Sequence, residues 1–498
     1  MLHSSPYRRY IPPGVLALSL LTAYLATMAP GLTWANTGAD GGDLITAAYT
    51  GGVPHPTGYP VYMLLARFFQ LLPVGSLALR TNLMSALATV SAAVLVYTLV
   101  VRYLAPADPQ RSWPSGLASG FAFGLAPLVW SQAVITEVYA LQSLFVVLVL
   151  YLSTGVMPPG KNIDRLRGLT LGLAMGNHLT TVLLIPAAIV ANVVAQRDPV
   201  SPRWTFDWKS LLRQIAYLTL GLLIYLILPL RAASNPVLNW GNPITFDRFW
   251  WLISGGLYQG TFLFEPGGTW GHIQLLVSVF LQQFGFIGLA AAVIGLAFFF
   301  QPSRLYFLTL YLMVTSSVFS IVYDSFDSYV YLIPALISFS IWMGLGIDGL
   351  MKAAHHRAPR LAWGLPLLLA LYLLSLLPGH WTQADASQDL RAENFGQEVL
   401  AAAPANAVVF AKGDQAVFTL WYFHFALHRR PDLMIIATDL LHFDWYQETL
   451  RSTYPSLVLP GPFPFPETVM YANPLAPACS VGYDEETIME CQPPAESH

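Results

Sequence analysis

Apolar runs long enough to cross a hydrocarbon layer recur from residue 12 to residue 379, and they leave the chain few ways to fold. A bilayer core takes about 20 apolar residues per helix. Windows of that length fall near 12–33, 81–104, 115–132, 134–154, 165–178, 179–195, 211–230, 278–300, 304–323, 328–350 and 361–379. The third is short and the fifth and sixth almost run together, so ten to twelve spans satisfy the pattern and eleven is the expected number. Only 10% of the residues are charged, where a soluble domain carries roughly 25%. The expected class is a polytopic, all-α membrane protein. A net charge of -3 gives no reason to expect nucleic acid as a partner. The first run resembles a signal peptide, but residues 26–34 continue it without a convincing cleavage site, so it is read as a retained helix.

Basic residues of the short loops set the orientation. Arg8 and Arg9 precede the first span, Arg102 and Arg111 follow the second, and Lys161, Arg165 and Arg167 follow the fourth. Arg197, Arg203, Lys209 and Arg213 follow the sixth, Arg304 the eighth, and Lys352, Arg357 and Arg360 the tenth. With eleven spans all of these share one side, which the rule makes cytoplasmic; Arg67, Arg80, Arg231 and Arg248 remain on the other. The expected location is the inner (plasma) membrane, with the N-terminus cytoplasmic and the C-terminal region outside. The outer loops then hold Asp40, Asp43, His55, Glu137, Tyr139, Asn177, His178, Arg231, Asn239, Trp240, Asp324 and Asp327. Ionisable groups beside a bilayer are costly unless they face water, a partner or a substrate. Their gathering on one face points to a site at the outer boundary.

Two parts are expected. Residues 1–380 form the transmembrane domain, with a first outer loop at 34–80 and a second at 231–277; residues 381–498 form a small extracytoplasmic α/β domain of soluble composition. In the first loop, Ala47-Ala48-Tyr49 and residues 62–69 look amphipathic, which suits short interfacial helices. Pro54, Pro56, Gly58 and Pro60 separate them. The second loop places Trp240, Trp250, Trp251 and Trp270 for headgroup depth. Farther on, 407–411 and 433–437 read as buried strands, 418–427 and 445–452 as helices, and the Pro-rich stretch from Pro460 as an extended arm with little core. Cys479 and Cys491 have no histidine at zinc-ligand spacing, so in an oxidising compartment a disulfide is expected rather than a metal site. No inverted repeat of the transporter kind is apparent.

Asp40 and Asp43 stand one helical turn apart, so both can face one cavity. Two readings stay open: an acidic first turn held by backbone amides and the helix dipole, or a carboxylate acting as general base toward a hydroxyl. His55 lies between Pro54 and Pro56, which hold its backbone extended; it is either a packed loop residue or a hydrogen-bonding partner of a phosphate. His178, after Gly176-Asn177, is either a helix-end cap or a partner at the same level. Glu137, followed by Val138-Tyr139, begins a span; the helix dipole favours an acid there, yet the charge sits close to hydrocarbon. Arg231 ends the seventh span and either snorkels to headgroups or grips a phosphate oxygen. Asp324 and Asp327 read as a solvated turn. The sequence has no nucleotide-binding loop, HExxH zinc motif or GxSxG elbow. A donor delivered through the lipid therefore fits better than a cytosolic nucleotide sugar.

The order of motifs is more specific than any one of them. Asp40-x-x-Asp43-Leu44-Ile45-Thr46-Ala47-Ala48-Tyr49 is followed by Gly52-Val53-Pro54-His55-Pro56-Thr57-Gly58-Tyr59-Pro60 and Arg80-x-Asn82-Leu83-x-Ser85. Then come Glu137-Val138-Tyr139-Ala140-Leu141, Gly176-Asn177-His178, Leu230-Arg231-Ala232, Leu238-Asn239-Trp240-Gly241, Ser254-Gly255-Gly256-x-Tyr258 and Tyr329-Val330-Tyr331-Leu332-x-Pro334. Over roughly residues 15–345 this series resembles the GT-C type polytopic glycosyltransferase family that includes the vertebrate transmembrane O-mannosyltransferase acting on plexin-type receptor domains. The resemblance returns at Gly413-Asp414-x-x-x-Phe418-x-Leu420-Trp421-Tyr422 and Arg430-Pro431-Asp432. Two departures stand out. Asp43 occupies the place of the family's usual Glu, and Asp414-Gln415-Ala416-Val417 replaces its usual Asp-Asn-Asp-Thr.

The resemblance implies a multispan helical bundle with a catalytic acid in the first outer loop and a polyprenyl-phosphate sugar as donor. The expected reaction is an inverting transfer of a hexose, mannose by expectation, to a hydroxyl of protein or glycan. Asp40 is the expected base, with Asp43 orienting it or serving as the alternate base. Arg231, His55 and His178 are expected to neutralise the leaving phosphate. Glu137 and Asn239 are expected on sugar hydroxyls, with Tyr139, Asn177 and Trp240 completing the donor set. No metal ligand is named, and a divalent cation stays open as cofactor. The rivals are a transporter or lipid flippase, which places polar residues at mid-membrane depth, and a non-catalytic scaffold, which the altered second motif keeps open.

Overall fold

The computed structural model describes residues 9–106, 112–196, 203–261, 269–298, 303–323, 325, 327–355, 364–462 and 464–494. Arg8, Arg111, Arg197, Asp324, Arg357 and Arg360, named above, lie outside the described residues.

The chain is mostly helical. Among the described residues, six helices are long and apolar enough to cross a membrane: Leu77–Leu104, Trp208–Ala232, Ile273–Ala297, Arg304–Val322, Ser328–His355 and Gly364–Ala384. Pro127–Ala133 and Val138–Ser153 join them as a seventh if a pair bent by 117° is taken as one span. Eleven full spans are not reproduced, and the breaks have local causes. The expected run 115–132 divides into Trp113–Gly124 and Pro127–Ala133, because proline starts a helix readily but does not continue one. The run 179–195 gives only a tight turn, Leu179–Leu184, and the short helix Ile185–Val190 before a strand begins. Ile11–Thr27 is apolar but short.

Small residues let these helices approach. Leu16 and Leu20 of the first helix press on Gly120 and Gly124, and Tyr24 donates its hydroxyl to the Gly124 carbonyl at 2.7 Å. Lys161–Met175 crosses Trp208–Leu222 where Gly172 meets Gly221, a contact that a side chain on either glycine would block. The 28 residues of Leu77–Leu104 run from Asn82, bonded to Thr136 at 2.7 Å, to Arg102 beside Met157. The Arg102 end also gathers Asp164 with Arg213 (2.6 Å) and Arg304 on the Val193 carbonyl (2.5 Å). The polar residues of the candidate site gather at the Asn82 end.

Among the described residues there are six strands, all short. β1 (Val193–Gln196) pairs antiparallel with β2 (Arg203–Phe206). In the C-terminal region β3 (Val408–Ala411), β4 (Met434–Ala437), β5 (Ala478–Asp484) and β6 (Glu486–Gln492) form one sheet in the order β4-β3-β5-β6. The β3 strand is parallel to both neighbours, and β5–β6 is an antiparallel hairpin whose register places Cys479 opposite Cys491, joined as a disulfide. Helices Arg391–Ala402, Asp414–Trp421 and Asp444–Thr453 cover the sheet. The Pro-rich stretch is not an extended arm. It contains the helix Pro466–Ala472, and β5 buries Cys479 and Val481 inside the sheet.

This sheet does not keep a core of its own. Phe395, Val409, Phe418 and Trp421 share one apolar cluster with Trp34, Leu44, Ile45 and Tyr62 of the first long loop and Trp240 of the second. The junction is also polar. Asp389 accepts from Thr33 Oγ1 (2.6 Å), Trp34 N (3.0 Å) and Ala35 N (2.6 Å). The helix Gly41–Thr50, expected at the interface, is therefore buried beneath Asp414–Trp421. Pro60–Gln70 keeps the amphipathic character expected of it, with Leu64, Leu65 and Phe68 exposed.

Candidate functional site

Asp40 ends a short 3-10 segment, Ala35–Asp40, in which Asn36 and Thr37 take left-handed φ values of 57° and 64°. The next helix begins at Gly41 and ends at Gly51, whose φ of 74° is the left-handed stop that glycine supplies. Asp40 holds the capping position but makes no side-chain capping bond. Capping is thus not its role, and its carboxyl group opens into a cavity of about 710 Å³.

The walls of that cavity come from distant parts of the chain. Asp40, His55, Thr57 and Tyr59 belong to the first long loop, and Tyr139 and His178 to the starts of two helical segments. Ser254 and Tyr258 come from the second loop, Asp327 and Tyr331 from the approach to a long helix, and Lys412, Asp414 and Tyr483 from the sheet region. One end is apolar, with Val182, Leu183 and Phe319. It adjoins a smaller pocket lined by Leu184, Leu312, Val330 and Ile333.

Asp43 behaves differently from Asp40. It has no exposed surface. Its Oδ2 accepts from the His55 backbone N–H at 3.0 Å and bonds the His55 ring Nδ1 at 2.7 Å, while Oδ1 accepts from Trp240 Nε1 at 3.1 Å. Asp43 is not on the cavity wall, so its reading as an alternate base gives way to that of a buried anchor. The other face of the same imidazole looks outward: His55 Nε2 lies 3.5 Å from Asp40 Oδ2.

The electrostatics follow from this arrangement. Asp40 has 40% of its side chain accessible, but that surface faces the cavity interior. Desolvation pushes its carboxyl up; His55 opposes the shift, Asp414, Asp43 and Asp327 add to it, and the result is about 6. For His55, burial works against the imidazolium, but Asp40, Asp43 and Asp414 outweigh it and raise the ring to about 9. Asp414 is also raised, first by desolvation.

Other expected site residues divide. Tyr139 reaches toward Asp327 at 3.5 Å, and Ser325 Oγ–H donates to the same Asp327, so this turn is part of the cavity wall. His178 both lines the cavity and caps: its Nδ1 pairs with Thr180 Oγ1 at 2.8 Å. Glu137 is 4% exposed, accepts from Val138 N at 3.3 Å, and is off the wall. Asn177 is buried, donating to the Val138 carbonyl and Gln142 at 3.3 Å each. Asn239 is buried too, donating to Asn242 at 3.1 Å, beside the backbone link of Val53 to Leu238 and Trp240. None of these three lines the cavity. Arg231 donates to the Gly52 carbonyl at 3.3 Å and does not line the cavity. Among the described residues Lys412 is the one lysine or arginine on the wall. Sequence reasoning passed over it; its only signal was its place immediately before Gly413-Asp414. Among the described residues no group of three or more His, Cys, Asp or Glu forms a metal ligand set.

Residues 40–201 match the family model described as "Protein O-mannosyl-transferase TMEM260 N-terminal domain", and residues 392–468 match "TMEM260-associated domain 2". Over these two segments the chain is similar to the TMEM260 family. Those two matches carry Asp40, Asp43 and His55 in one and Asp414 in the other, the segments that meet at the cavity. Protein O-mannosyl-transferase tmem260 of Dictyostelium discoideum is 24% identical over 503 residues, covering 90% of this chain and 59% of that protein. Protein O-mannosyl-transferase TMEM260 of Mus musculus is 26% identical over 458 residues, covering 85% and 62%. The chain thus spans about three fifths of the length of these relatives. Among solved structures, ArnT from Cupriavidus metallidurans in the apo state superposes with a TM-score of 0.61 at 13% identity, covering 97% of this chain and 94% of ArnT. The same enzyme bound to undecaprenyl phosphate gives 0.59 at 14% identity and the same coverage. The chain has the ArnT-like GT-C fold.

Proposed function

We propose that the chain is a membrane glycosyltransferase that moves a hexose from a polyprenyl-phosphate carrier to a hydroxyl acceptor on the outer face. Mannose as the sugar and protein Ser/Thr as the acceptor follow the names of its relatives. One observation carries the reading: a carboxylate that caps nothing, Asp40, faces a roomy cavity that also has an apolar lining. Undecaprenyl phosphate bound to ArnT supports a lipid-linked donor for this fold. The Cys479–Cys491 disulfide supports an oxidising compartment for the sheet region, hence an outer site, while the basic loops support a cytoplasmic N-terminus.

In the proposed step the acceptor oxygen attacks the anomeric carbon, its proton passes to Asp40, and the bond from that carbon to the carrier phosphate breaks with its electrons on the phosphate oxygen. The product has inverted configuration because acceptor and leaving group occupy opposite faces. Asp40 is in its basic form at pH 7, above its value of about 6. Lys412 and His55 are the cations placed to offset charge on the departing phosphate. Arg231 has no part in this. The apolar end with Leu183 and Phe319 suits the first isoprene units of the carrier.

The test is transfer from polyprenyl-phosphate mannose to a Ser/Thr peptide by the purified full chain, read as released polyprenyl phosphate. Asp40→Asn is expected to lower the rate about 10²–10⁴-fold. Full activity in a folded Asp40→Asn protein removes the base assignment.

A further inference from the structure

We propose that Asp43 is a positioning residue whose buried carboxylate clamps the His55 ring with Nε2 toward Asp40, and so sets the direction and charge environment of the base. The proposal deepens the transfer reading above and rests on it for the role of Asp40.

The clamp is built from both ends of one carboxylate. Asp43 Oδ2 takes two bonds from His55, one from its backbone N–H (3.0 Å) and one from ring Nδ1 (2.7 Å). A single oxygen therefore fixes both the loop and the ring it carries. Oδ1 is held in turn by Trp240 Nε1 at 3.1 Å, so the carboxylate cannot swing. Packing removes the remaining freedom of the ring. Phe418 lies parallel to it, 6.2 Å away with 12° between planes, and Tyr59 and Trp240 meet it edge-on at 5.1 and 6.3 Å. What is left open is the Nε2 side, 3.5 Å from Asp40.

The charges around the ring point the same way. Carboxylates face it from three segments: Asp40 from the 3-10 turn, Asp43 from the helix behind it, and Asp414 from the sheet region. Tyr59 on its own loop and His178 from a neighbouring segment are the other titratable groups around it. A histidine so surrounded stays an imidazolium through neutral pH. It then favours the ionised Asp40 that a base must be, against the cost of burying a carboxylate. The fully buried site also gives meaning to the shorter acid. A glutamate at 43 adds a methylene where the carboxylate has no exposed surface, and it drives the ring toward Asp40.

Two measurements test this on the full-length protein in detergent. The first needs no activity: an NMR titration of protein labelled in its histidine rings, with the His55 signal assigned by its loss in His55→Gln. A midpoint near pH 9 is expected for the native chain, moving down by about 1–3 units in Asp43→Asn, which keeps the shape and removes the charge. An ordinary midpoint near 6.5, or no change in Asp43→Asn, overturns the clamp. The second is the pH–rate profile of transfer. Asp43→Asn and His55→Gln are expected to lower kcat at least tenfold with KM changed less than twofold, and in Asp43→Asn the alkaline limb moves to lower pH. Unchanged kcat and limb in a folded Asp43→Asn protein overturn the positioning role. If the native chain transfers nothing while the titration behaves as expected, the transfer reading fails and the clamp on His55 stands.

Discussion

Trp240 donates its indole N–H to Asp43 at 3.1 Å, and this bond joins the backbone link of Val53 to Leu238 and Trp240 in tying the second loop to the first. Its ring also lies in an aromatic cluster with Trp421 and Trp445, at centroid distances of 6.1 and 5.6 Å. Trp240→Phe keeps much of the packing and removes the donor, leaving a buried carboxylate oxygen without that partner. The expected cost is about 1–3 kcal/mol, read as a lower thermal midpoint of the detergent-solubilised protein. An unchanged midpoint argues that water replaces the indole.

Gly42 lies directly beneath the backbone of Phe418, where a Cβ collides with the carbonyl group. Gly42→Ala is expected to destabilise by about 1–3 kcal/mol, the usual cost of overpacking, and to loosen the sheet region from the first loop. Gly482→Ala is the control, because nothing lies within 4 Å of a Cβ there. Limited proteolysis between residues 385 and 391 should accelerate in the first variant and not in the second.

The pairing of His55 makes stability depend on pH. Its value rises from 6.5 in the unfolded chain to about 9 in the folded one. The contribution is therefore fully present below about 6.5 and is lost as pH rises through about 9. Asp40 acts in the opposite sense, since its own value is raised: it opposes folding increasingly as pH rises from 3.8 to about 6. Unfolding midpoints measured from pH 6 to 10 should fall with pH in the native protein and flatten in His55→Gln.

Lys412 and Arg231 separate two ideas about the leaving phosphate. Lys412 is on the cavity wall, whereas Arg231 is bonded to Gly52 and off it. Lys412→Ala is expected to lower kcat about 10²-fold, in the range for loss of one group that stabilises developing charge. Arg231→Ala should stay within threefold of the native rate. The reverse ranking, from the same released-phosphate assay, returns the role to Arg231.

How much of this was legible in the sequence depends on what each residue faces. Scarcity of charge made Asp40, Asp43 and His55 conspicuous, and the loop motif brought them together correctly. Helical spacing suggested that Asp40 and Asp43 look the same way. They do not, because Asp40 belongs to the turn before the helix and Asp43 to its first full turn. The direction of Arg231 was not legible, because charge says nothing of direction: its guanidinium donates to the nearby Gly52 carbonyl. Lys412 was invisible because its neighbours in space, such as Asp40, are hundreds of residues away in sequence. The stretch after Pro460 misled because proline content was read as lack of structure. Its strand has its own alternation, with Cys479 and Val481 turned inward and Ser480 outward.

The shared core of the first long loop and the sheet region also bears on how the protein comes into being. Trp34 rests against Phe395 and Tyr483 at 5.4 and 4.4 Å, and it donates to Thr419 at 3.1 Å. The β5 strand that carries Tyr483 is flanked by β3 and β6. The ribosome makes Asp40 hundreds of residues before Lys412, Asp414 and Tyr483, which line the same cavity. Until the sheet region is made, the forming half-site is an open shelf. It becomes an enclosure when the β5–β6 hairpin docks, so the cavity is a product of late folding rather than of the membrane helices alone.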